Sequence, residues 1–252
     1  MEEGFAMGLV LGLSLATLVA MLIGILVERR RGGIIRDLRR FLGPSVPSSI
    51  LRRPEQLVPR IREVTSYFAQ VTRTQIPQGE VVDEVTTGEM TRSARACLKM
   101  LTDTILEHDG TIDSYRGDLV VAHWNGVEDQ EEHAALACAC ALSQLAAHEE
   151  MNAELPARMQ TTLRIGISTG MAIVGNVGSE RQMRFSITGD TVDFGAKLEN
   201  ANKRYNTRVL ISERTSEQLS GDFVTREIGR VRMPGLRRMS TIHELVSRNG
   251  QG

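Results

Sequence analysis

Two oppositely charged residues stand four positions apart in the stretch SITGDTVDFGAKLEN, residues 186–200. The stretch is typical of a strand end, a tight Gly-Asp turn and a helix, so Asp193 and Lys197 should share one helix face. A carboxylate and an ammonium group on one face can serve a catalytic or binding site, or they can pair with each other. An acid four residues before a base is the favourable orientation for such a helix pair, which is worth about 0.2–0.5 kcal/mol.

Asp118 is a further acidic residue whose position suggests chemistry, because it ends the turn RGD at residues 116–118. Carboxylates are the ligands that hard divalent cations prefer, but hairpin turns favour aspartate for conformational reasons alone. Both interpretations of Asp118 stay open.

The three cysteines suggest no disulfide framework. Cys138 and Cys140 lie two apart in a helical pattern, so they are predicted to be core residues.

The elements that must position these residues follow from the apolar periodicity and the turn residues. The chain is predicted to begin with a strand at 62–71 and a helix, which follows a possible Thr86–Glu89 capping box and is stopped by Gly110. A hairpin around the RGD turn, a helix from about Asp129 to Glu150 and a second hairpin with strands at 162–170 and 171–179 should come next. A helix that ends near Asn206 is then followed by a strand, a short helix and two closing strands. Helices that alternate with antiparallel hairpins predict an α+β fold. With 41% apolar residues, 24% charged residues and a net charge of −1, the composition is that of a globular domain and gives no case for nucleic-acid binding.

A membrane anchor is predicted at residues 5–27, a run of 23 residues without a charge. About 20 such residues span a bilayer. Six arginines fall within residues 28–40, and the positive-inside rule places that flank in the cytoplasm. A cleaved signal peptide fits less well, because the apolar run is long and the basic cluster follows it. The prediction is a single-pass protein of the inner (cytoplasmic) membrane, with residues 1–4 outside and everything after residue 28 in the cytoplasm.

Small residues recur at every fourth position along this predicted anchor: Gly8, Gly12, Ala16, Ala20 and Gly24. Such a stripe lets another helix approach closely. It predicts helix–helix association in the membrane, with either a second copy of the chain or another membrane protein as the partner.

Residues 163–215, residues 107–126 and the opening strand REVTSYFAQV together resemble a class III adenylate/guanylate cyclase catalytic domain. Residues 41–57 are similar to the segment that precedes this domain in many bacterial membrane cyclases. The resemblance implies a ferredoxin-like α+β domain that pairs head to tail, with active sites at the dimer interface. The predicted divisions of the chain are a basic juxtamembrane segment and linker at 28–60, a cyclase homology domain at 61–246 and a C-terminal tail at 247–252.

The family's cyclisation reaction uses two divalent cations held by two aspartates, and the resemblance assigns these positions to Gln70 and Asp118. A neutral amide therefore stands where the family has the first carboxylate, since the strand pattern ends VTSYFAQ. The family's adenine reader, a lysine, falls at Ser114, and its usual partner, a threonine or aspartate, falls at Ser186. Asp118 is left as the surviving candidate for a metal ligand.

The family's transition-state residues also differ here. An asparagine and an arginine of the family fall at Asp193 and Lys197, and a lysine that grips phosphate falls at Pro234. Asp193 brings a negative charge, Lys197 lacks the planar fork of arginine, and proline has neither a charge nor an N–H group. Asp193 and Lys197 are therefore expected to pair with each other and not to face substrate.

The sequence thus predicts a catalytically inactive pseudo-cyclase, anchored in the membrane, that acts as a dimerising regulatory or scaffold subunit. No cofactor is expected, and Mg²⁺ or Mn²⁺ would be needed only if activity remains. The expected partners are a second copy, a cyclase-like partner chain or another membrane protein, and not nucleic acid. The alternative is an active or weak adenylate cyclase that converts ATP to cyclic AMP and pyrophosphate, alone or with a partner chain. A third hypothesis is a domain that binds nucleotide without turning it over, for which weak or no binding is expected.

Overall fold

The computed structural model describes residues 58–73, 84–179, 182–232 and 239–249. In these ranges the chain forms strands and helices in alternation. The strands are β1 (Arg60–Arg73), β2 (Thr111–Arg116), β3 (Leu119–Trp124), β4 (Thr161–Ser179), β5 (Gln182–Thr188), β6 (Val209–Ser212), β7 (Phe223–Val231) and β8 (Ser240–Arg248). The α-helices are α1 (Glu84–Glu107), α2 (His133–Ala153), α3 (Asp190–Tyr205) and α4 (Glu213–Glu217), and a 3-10 helix covers Ala157–Met159.

The first six of these elements form a βαββαβ unit. Their strands lie in the order β2-β3-β1-β4, and each neighbouring pair is antiparallel. This arrangement is ferredoxin-like, and it confirms the predicted α+β fold. Beyond β4 the sheet continues with β6, β8 and β7, and β4 pairs with β6 in parallel. β5 pairs with the outer half of β4.

The central strand β1 divides the domain into two layers, because its side chains alternate between the two faces of the sheet. Tyr67 and Ala69 belong to the apolar core under α1 and α2, where they pack with Leu101 of α1 and Ala137 of α2. The alternate residues, which include Phe68 and then Gln70, face the opposite layer. Helix α3 covers that second face of the sheet.

Helix α3 packs so closely on this face that its backbone contacts the backbone of the sheet, because glycines lie on both sides of the contact. A Cβ atom added at Gly166 of β4 would lie 2.2 Å from the backbone nitrogen of Glu199 and 2.3 Å from the carbonyl oxygen of Gly195. A Cβ atom added at Gly195 would lie 2.8 Å from the hydroxyl of Ser66 and 3.0 Å from the ring of Phe68. Side chains on the sheet side of α3 are therefore held against the middle of β1 and the first part of β4.

The predicted second hairpin, with strands at 162–170 and 171–179, is wrong. Residues Thr161–Ser179 form one continuous strand, β4. β1 is 14 residues long and pairs with β4 from Thr161 to Val174 without a break, so the ladder runs straight through Gly170 and Met171. The strand that reverses direction is β5, which pairs with the far end of β4.

Two helix boundaries also differ from the prediction. Thr86 and Glu89 both lie inside α1, so they do not form a capping box at its start. The second helix begins at His133, four residues after the predicted start at Asp129. The first helix ends as predicted before Gly110, but the left-handed residue is Asp109, with φ of 57°.

Several predictions fall on residues outside the described ranges. These are the membrane span at 5–27, its stripe of small residues, the linker up to residue 57, and Pro234. Within the described ranges, none of the helices has both the length and the apolar character that a membrane crossing requires.

Candidate functional site

The structure brings the two predicted metal positions together at the end of β1. Gln70 pairs across the sheet with Leu119, the first residue after the β2–β3 turn, and Asp118 occupies that turn. The backbone N–H of Val71 donates to the carbonyl oxygen of Asp118 at 3.2 Å, which fixes the turn against β1. The turn itself depends on Gly117, whose φ of 67° favours glycine.

The side chains of the two residues are hydrogen-bonded to each other. The Nε2 atom of Gln70 donates to Oδ1 of Asp118 at 3.2 Å. Two carboxylates at this place would repel each other and attract a divalent cation, whereas the amide of Gln70 satisfies the Asp118 carboxylate directly. One oxygen of the Asp118 carboxylate therefore accepts a hydrogen bond from within the protein.

Arg164 stands beside this pair and was missed by the sequence analysis. It is the partner of Gln70 on the β4 side of β1, it is half-buried, and its Nη1 atom donates to the hydroxyl of Thr72 at 2.8 Å. The signal in the sequence was an arginine inside the otherwise apolar strand segment LRIGI. Its guanidinium adds a positive charge to an end of the sheet that holds Asp118.

Glu199 of α3 adds a buried carboxyl group to the same region. Its side chain is on the sheet side of the helix and the residue is only 3% exposed. Its Oε1 atom has no hydrogen-bond partner among the described residues. Burial raises the pKa of Glu199, and the charge of Asp118 acts in the same direction, while Lys203 and Arg164 act against it.

The two predicted base-reading positions, Ser114 and Ser186, also lie together, but they are joined by a carboxylate. Asp113 accepts a hydrogen bond from Ser114 at 3.0 Å on Oδ2 and from Ser186 at 2.5 Å on Oδ1. Asp113 is the extra residue of a β-bulge in β2, since Ile112 and Ser114 pair with adjacent residues of β3. Both serine hydroxyls therefore donate inward to Asp113 and are not free to donate to a ligand.

His123 of β3 completes this buried polar group. It is 1% exposed, and its Nδ1 atom has no hydrogen-bond partner in the described part of the chain. Burial lowers the pKa of His123 to about 4, although the charge of Asp113 favours protonation. The sequence analysis missed Asp113 and His123, because neither the bulge in β2 nor the burial of β3 can be seen in the residue pattern.

Asp193 and Lys197 lie on one face of α3, as predicted, but their predicted mutual ion pair is wrong. The ion pairs formed within the described ranges do not include these two residues. The reason is that an exposed pair at this spacing is worth only a few tenths of a kcal/mol, which does not offset the entropy of holding two flexible side chains. Both residues line an open cleft of about 550 Å³ between α3 and the end of β7.

The donor atoms at Gln70 and Asp118 do not fit a two-metal centre. One carboxylate is present where two are needed, and an amide N–H already occupies one of its oxygens. The described ranges contain no cluster of three or more histidine, cysteine, aspartate or glutamate residues in reach of one metal ion. Hard cations that face phosphate prefer several charged oxygen ligands, so this end of the sheet is poorly suited to hold them.

Comparisons with known proteins agree with the fold. Residues 60–246 match the sequence model of the adenylate and guanylate cyclase catalytic domain. The chain is 32% identical over 191 residues to adenylate cyclase 1 of Rhizobium meliloti (strain 1021), in an alignment that covers 73% of this chain and 28% of that protein. It is 27% identical over 189 residues to the terminal-differentiation-specific adenylate cyclase of Dictyostelium discoideum, covering 73% of this chain and 9% of that one. The chain thus spans less than a third of the length of either relative.

Two solved structures show the same fold. The adenylyl cyclase CyaB from P. aeruginosa superimposes with a TM-score of 0.65 at 22% identity, covering 78% of this chain and 100% of that chain. A bacterial light-regulated adenylyl cyclase superimposes with a TM-score of 0.69 at 16% identity, covering 87% of this chain and 63% of that one.

Proposed function

The chain belongs to the adenylate/guanylate cyclase family, and from this premise we propose that it is a catalytically silent, membrane-anchored member. In this proposal the domain acts by pairing, as a regulatory or scaffold subunit of a membrane complex. Its partner is a second copy or a cyclase-like chain, which binds through the domain, or another membrane protein, which binds through the anchor.

The observation that carries the proposal is the hydrogen bond from Gln70 to Asp118. Cyclisation requires a 3′-hydroxyl group to attack the α-phosphorus of a nucleoside triphosphate, and divalent cations both activate the hydroxyl and neutralise the phosphate charge. With one carboxylate, and that one bound to an amide, the protein has little charge with which to hold these cations.

The other residues of the site support the same conclusion. Ser114 and Ser186 are occupied by Asp113, so the base-reading positions have no free donor to offer a purine. Asp193 places a negative charge where the family resemblance implies that a ribose lies beside a polyanion. Removal of one preorganised electrostatic contact costs about 10²–10³ in rate, and here several contacts are altered together.

A weak adenylate cyclase is the second candidate function. Asp118 is retained and exposed, and Arg164 stands beside it with a charge that suits phosphate. The relative with 32% identity is named an adenylate cyclase. In this alternative the chain converts ATP to cyclic AMP and pyrophosphate, alone or with a partner chain, and needs Mg²⁺ or Mn²⁺.

An activity assay separates the two candidates. The full chain, purified in mild detergent, is incubated with ATP or GTP and Mn²⁺ beside the variants Asp118→Ala and Asp129→Ala. Asp129 is an exposed aspartate that pairs with Arg62 near the start of β1, whereas Gln70 lies near the end of that strand. We expect no cyclic nucleotide above background in any sample. Production that is lost in Asp118→Ala and kept in Asp129→Ala would establish the weak cyclase.

The membrane anchor belongs to the proposal as well. Residues 5–27 are uncharged and long enough to span a bilayer, and the arginine-rich flank orients the domain towards the cytoplasm. If this is correct, the protein stays in the membrane fraction after an alkaline carbonate wash. A version that begins after residue 40 leaves the membrane fraction in the same wash. Release of the full chain by carbonate would contradict the anchor.

A further inference from the structure

A row of hydrogen-bonded hydroxyl groups crosses the core between the sheet and the start of α2. It begins at Ser212, the last residue of β6, and continues through Thr215 of α4, Thr169 of β4 and Thr65 of β1 to the Nδ1 atom of His133. His133 is the first residue of α2. None of the five residues is more than 5% exposed. We refer to the four hydroxyl groups as the hydroxyl chain.

The direction of each hydrogen bond in the hydroxyl chain is set from its Ser212 end. A serine hydroxyl has two acceptor sites and one proton to donate. Both acceptor sites of Ser212 are used by backbone N–H groups, that of Thr215 at 3.2 Å and that of Thr169 at 3.3 Å. Ser212 therefore donates its proton to the hydroxyl of Thr215 at 2.8 Å, and Thr215 donates to Thr169 at 3.0 Å.

The same rule determines the protonation state of the His133 ring. The Thr169 hydroxyl accepts from Thr215, so it donates to Thr65 at 2.8 Å. Thr65 then donates to Nδ1 of His133 at 2.7 Å. If His133 were the donor, Thr65 would donate to Thr169, and the Thr169 proton would have no acceptor in the hydroxyl chain. Nδ1 is therefore an acceptor, which requires a neutral ring with its proton on Nε2.

The surroundings of His133 also favour the neutral ring. Burial lowers the pKa of His133 from its ordinary value of 6.5, and the charges of Arg62 of β1 and Arg214 of α4 act in the same direction. Glu63 of β1 acts against them, but its carboxylate accepts hydrogen bonds from Arg214 at 2.5 Å and from Gln218 at 3.1 Å. The first residue of a helix lies at the positive end of the helix dipole, which disfavours a cation there as well.

We propose that His133 and the hydroxyl chain form a pH-sensitive switch, which holds the first turn of α2 on β1 while the ring is neutral and releases it when Nδ1 takes up a proton. A protonated Nδ1 would face the proton of Thr65, and the hydroxyl chain cannot reverse, because Ser212 has no acceptor site left. Because the pKa of the held ring is lowered, the released state takes up the proton first, so release occurs as the pH falls below 6.5. The inference goes beyond the proposed function, since it requires neither pairing of domains nor any statement about cyclisation.

Nitrogen NMR of the full chain in detergent, labelled at histidine, tests the state of the ring. The chain has five histidines, and the signal that is absent from His133→Asn identifies His133. At pH 7 its proton should be on Nε2 with Nδ1 unprotonated, and its titration midpoint should lie below 6.5. A proton on Nδ1 at pH 7, or a midpoint at or above 6.5, would overturn the proposal.

Amide hydrogen exchange in the full chain measures the release itself. Protection of residues 134–140, corrected for the intrinsic exchange rate, should fall by up to about tenfold for each pH unit below 6.5. Helix α3 is the internal reference, because Asp190–Tyr205 contains no histidine. A parallel fall in α3 would mean that the whole domain opens and that the start of α2 is not released separately.

Substitutions separate the switch from an ordinary buried contact. Asparagine in His133→Asn is uncharged and offers an oxygen near the place of Nδ1, so the start of α2 should stay protected at low pH. His148→Gln is the matched control, because it changes the other buried histidine of α2, which contacts Thr161 through Nε2 at 2.8 Å. It should leave the pH response of residues 134–140 unchanged. An unchanged response in His133→Asn, or its loss in His148→Gln, would contradict the switch.

Thr65→Val tests the hydroxyl chain without changing a titratable group. Valine keeps the branched shape of the side chain and removes the donor to Nδ1. Protection of residues 134–140 should therefore be several times lower at pH 7 than in the natural chain. Equal protection at pH 7 would show that the hydroxyl chain does not hold the start of α2.

Discussion

At the residue scale, the contact between Gln70 and Asp118 determines what the end of β1 can bind. Gln70→Asp would place a second carboxylate near Asp118, and the mutual repulsion of the two carboxylates favours a divalent cation between them. We expect the variant to bind Mn²⁺ about tenfold more tightly than the natural chain, because affinity at such sites rises with the number of charged ligands. Electron paramagnetic resonance of free Mn²⁺ measures this directly.

Gln70→Asn is the control for this change, because it alters the length of the side chain and adds no charge. Mn²⁺ affinity that rises equally in both variants would show that the charge at position 70 is not the cause. Cyclic nucleotide formation is not expected in Gln70→Asp, because Ser114, Ser186 and Asp193 remain unsuited to the reaction.

Asp113 is the residue on which the base-reading end depends. Asp113→Ala leaves the hydroxyls of Ser114 and Ser186 without their acceptor, so we expect a loss of about 1–3 kcal/mol in the free energy of unfolding. The control is Asp129→Ala, since the Asp129 side chain is 96% exposed and its ion pair with Arg62 is of the surface kind, worth at most about 1 kcal/mol. Urea denaturation of both variants makes the comparison. An equal loss in the two would mean that Asp113 does not hold this cluster together.

His123 makes the stability depend on pH. Its pKa is lowered by burial from 6.5 to about 4 in the folded state. The unfolded chain therefore takes up a proton first as the pH falls, so stability is fully present above pH 6.5 and is lost between about pH 6.5 and pH 4. The loss from this residue is on the order of 3 kcal/mol at the lower limit.

Unfolding by urea at pH 7 and at pH 5 measures this dependence. His123→Phe should reduce the difference between the two values, because phenylalanine does not titrate. His243→Phe is the control, since it changes another histidine of the sheet, one that is less buried than His123. An unchanged difference in His123→Phe would assign the pH dependence to other groups, of which His133 and His148 also have pKa values lowered by burial.

At the scale of the elements, the position of α3 on the sheet depends on Gly166. In Gly166→Ala the new Cβ atom would lie 2.2 Å from the Glu199 backbone nitrogen, and neither backbone can move aside without shifting the helix. We expect a loss of about 1–3 kcal/mol or more in the free energy of unfolding. Gly88→Ala is the control of opposite sign, because Gly88 lies within α1 with nothing near its Cβ position, and alanine there should stabilise by about 0.5–1 kcal/mol. Equal effects in thermal unfolding would show that the two packed backbones can separate easily.

Most elements could be predicted from the sequence where local signals agreed. The hairpin around Asp118 has the apolar run LVVAHW after a Gly-Asp turn, and it forms as expected. The strand β4 was misread because Gly170 resembled a turn, whereas its extended state is imposed by the 14-residue partner β1. That constraint is tertiary and leaves no mark within β4 itself.

In the site, too, the features set by local sequence could be predicted and those set by tertiary pairing could not. Gln70 and Asp118 could be placed together from the family resemblance, but their hydrogen bond could not. Asp113 went unnoticed because its role depends on the bulge beside Ile112, and a bulge is set by pairing with β3.

At the scale of the whole molecule, the small residues of the predicted anchor offer a test of assembly. Gly12→Leu and Ala16→Leu add bulk to the stripe, so they should weaken self-association or partner binding in the membrane. Leu13→Ala changes a neighbouring residue on another face and is the control. A membrane two-hybrid assay should show at least a severalfold loss for the first two variants and little for the third. Equal effects would count against this helix face.

The continuous strand β4 fixes the pairing register of both ends of the site, because it pairs with β1 at one end and with β5 at the other. It pairs with β1 at Arg164, beside Gln70, and with β5 at Gly175, opposite Ser186. A one-residue insertion between positions 164 and 175 would turn the side chains beyond it to the other side of the sheet, because strand side chains alternate with a period of two. Point substitutions can therefore alter either end of the site alone, whereas a change of length in this strand would alter the alignment of the Gln70 end with the Ser186 end.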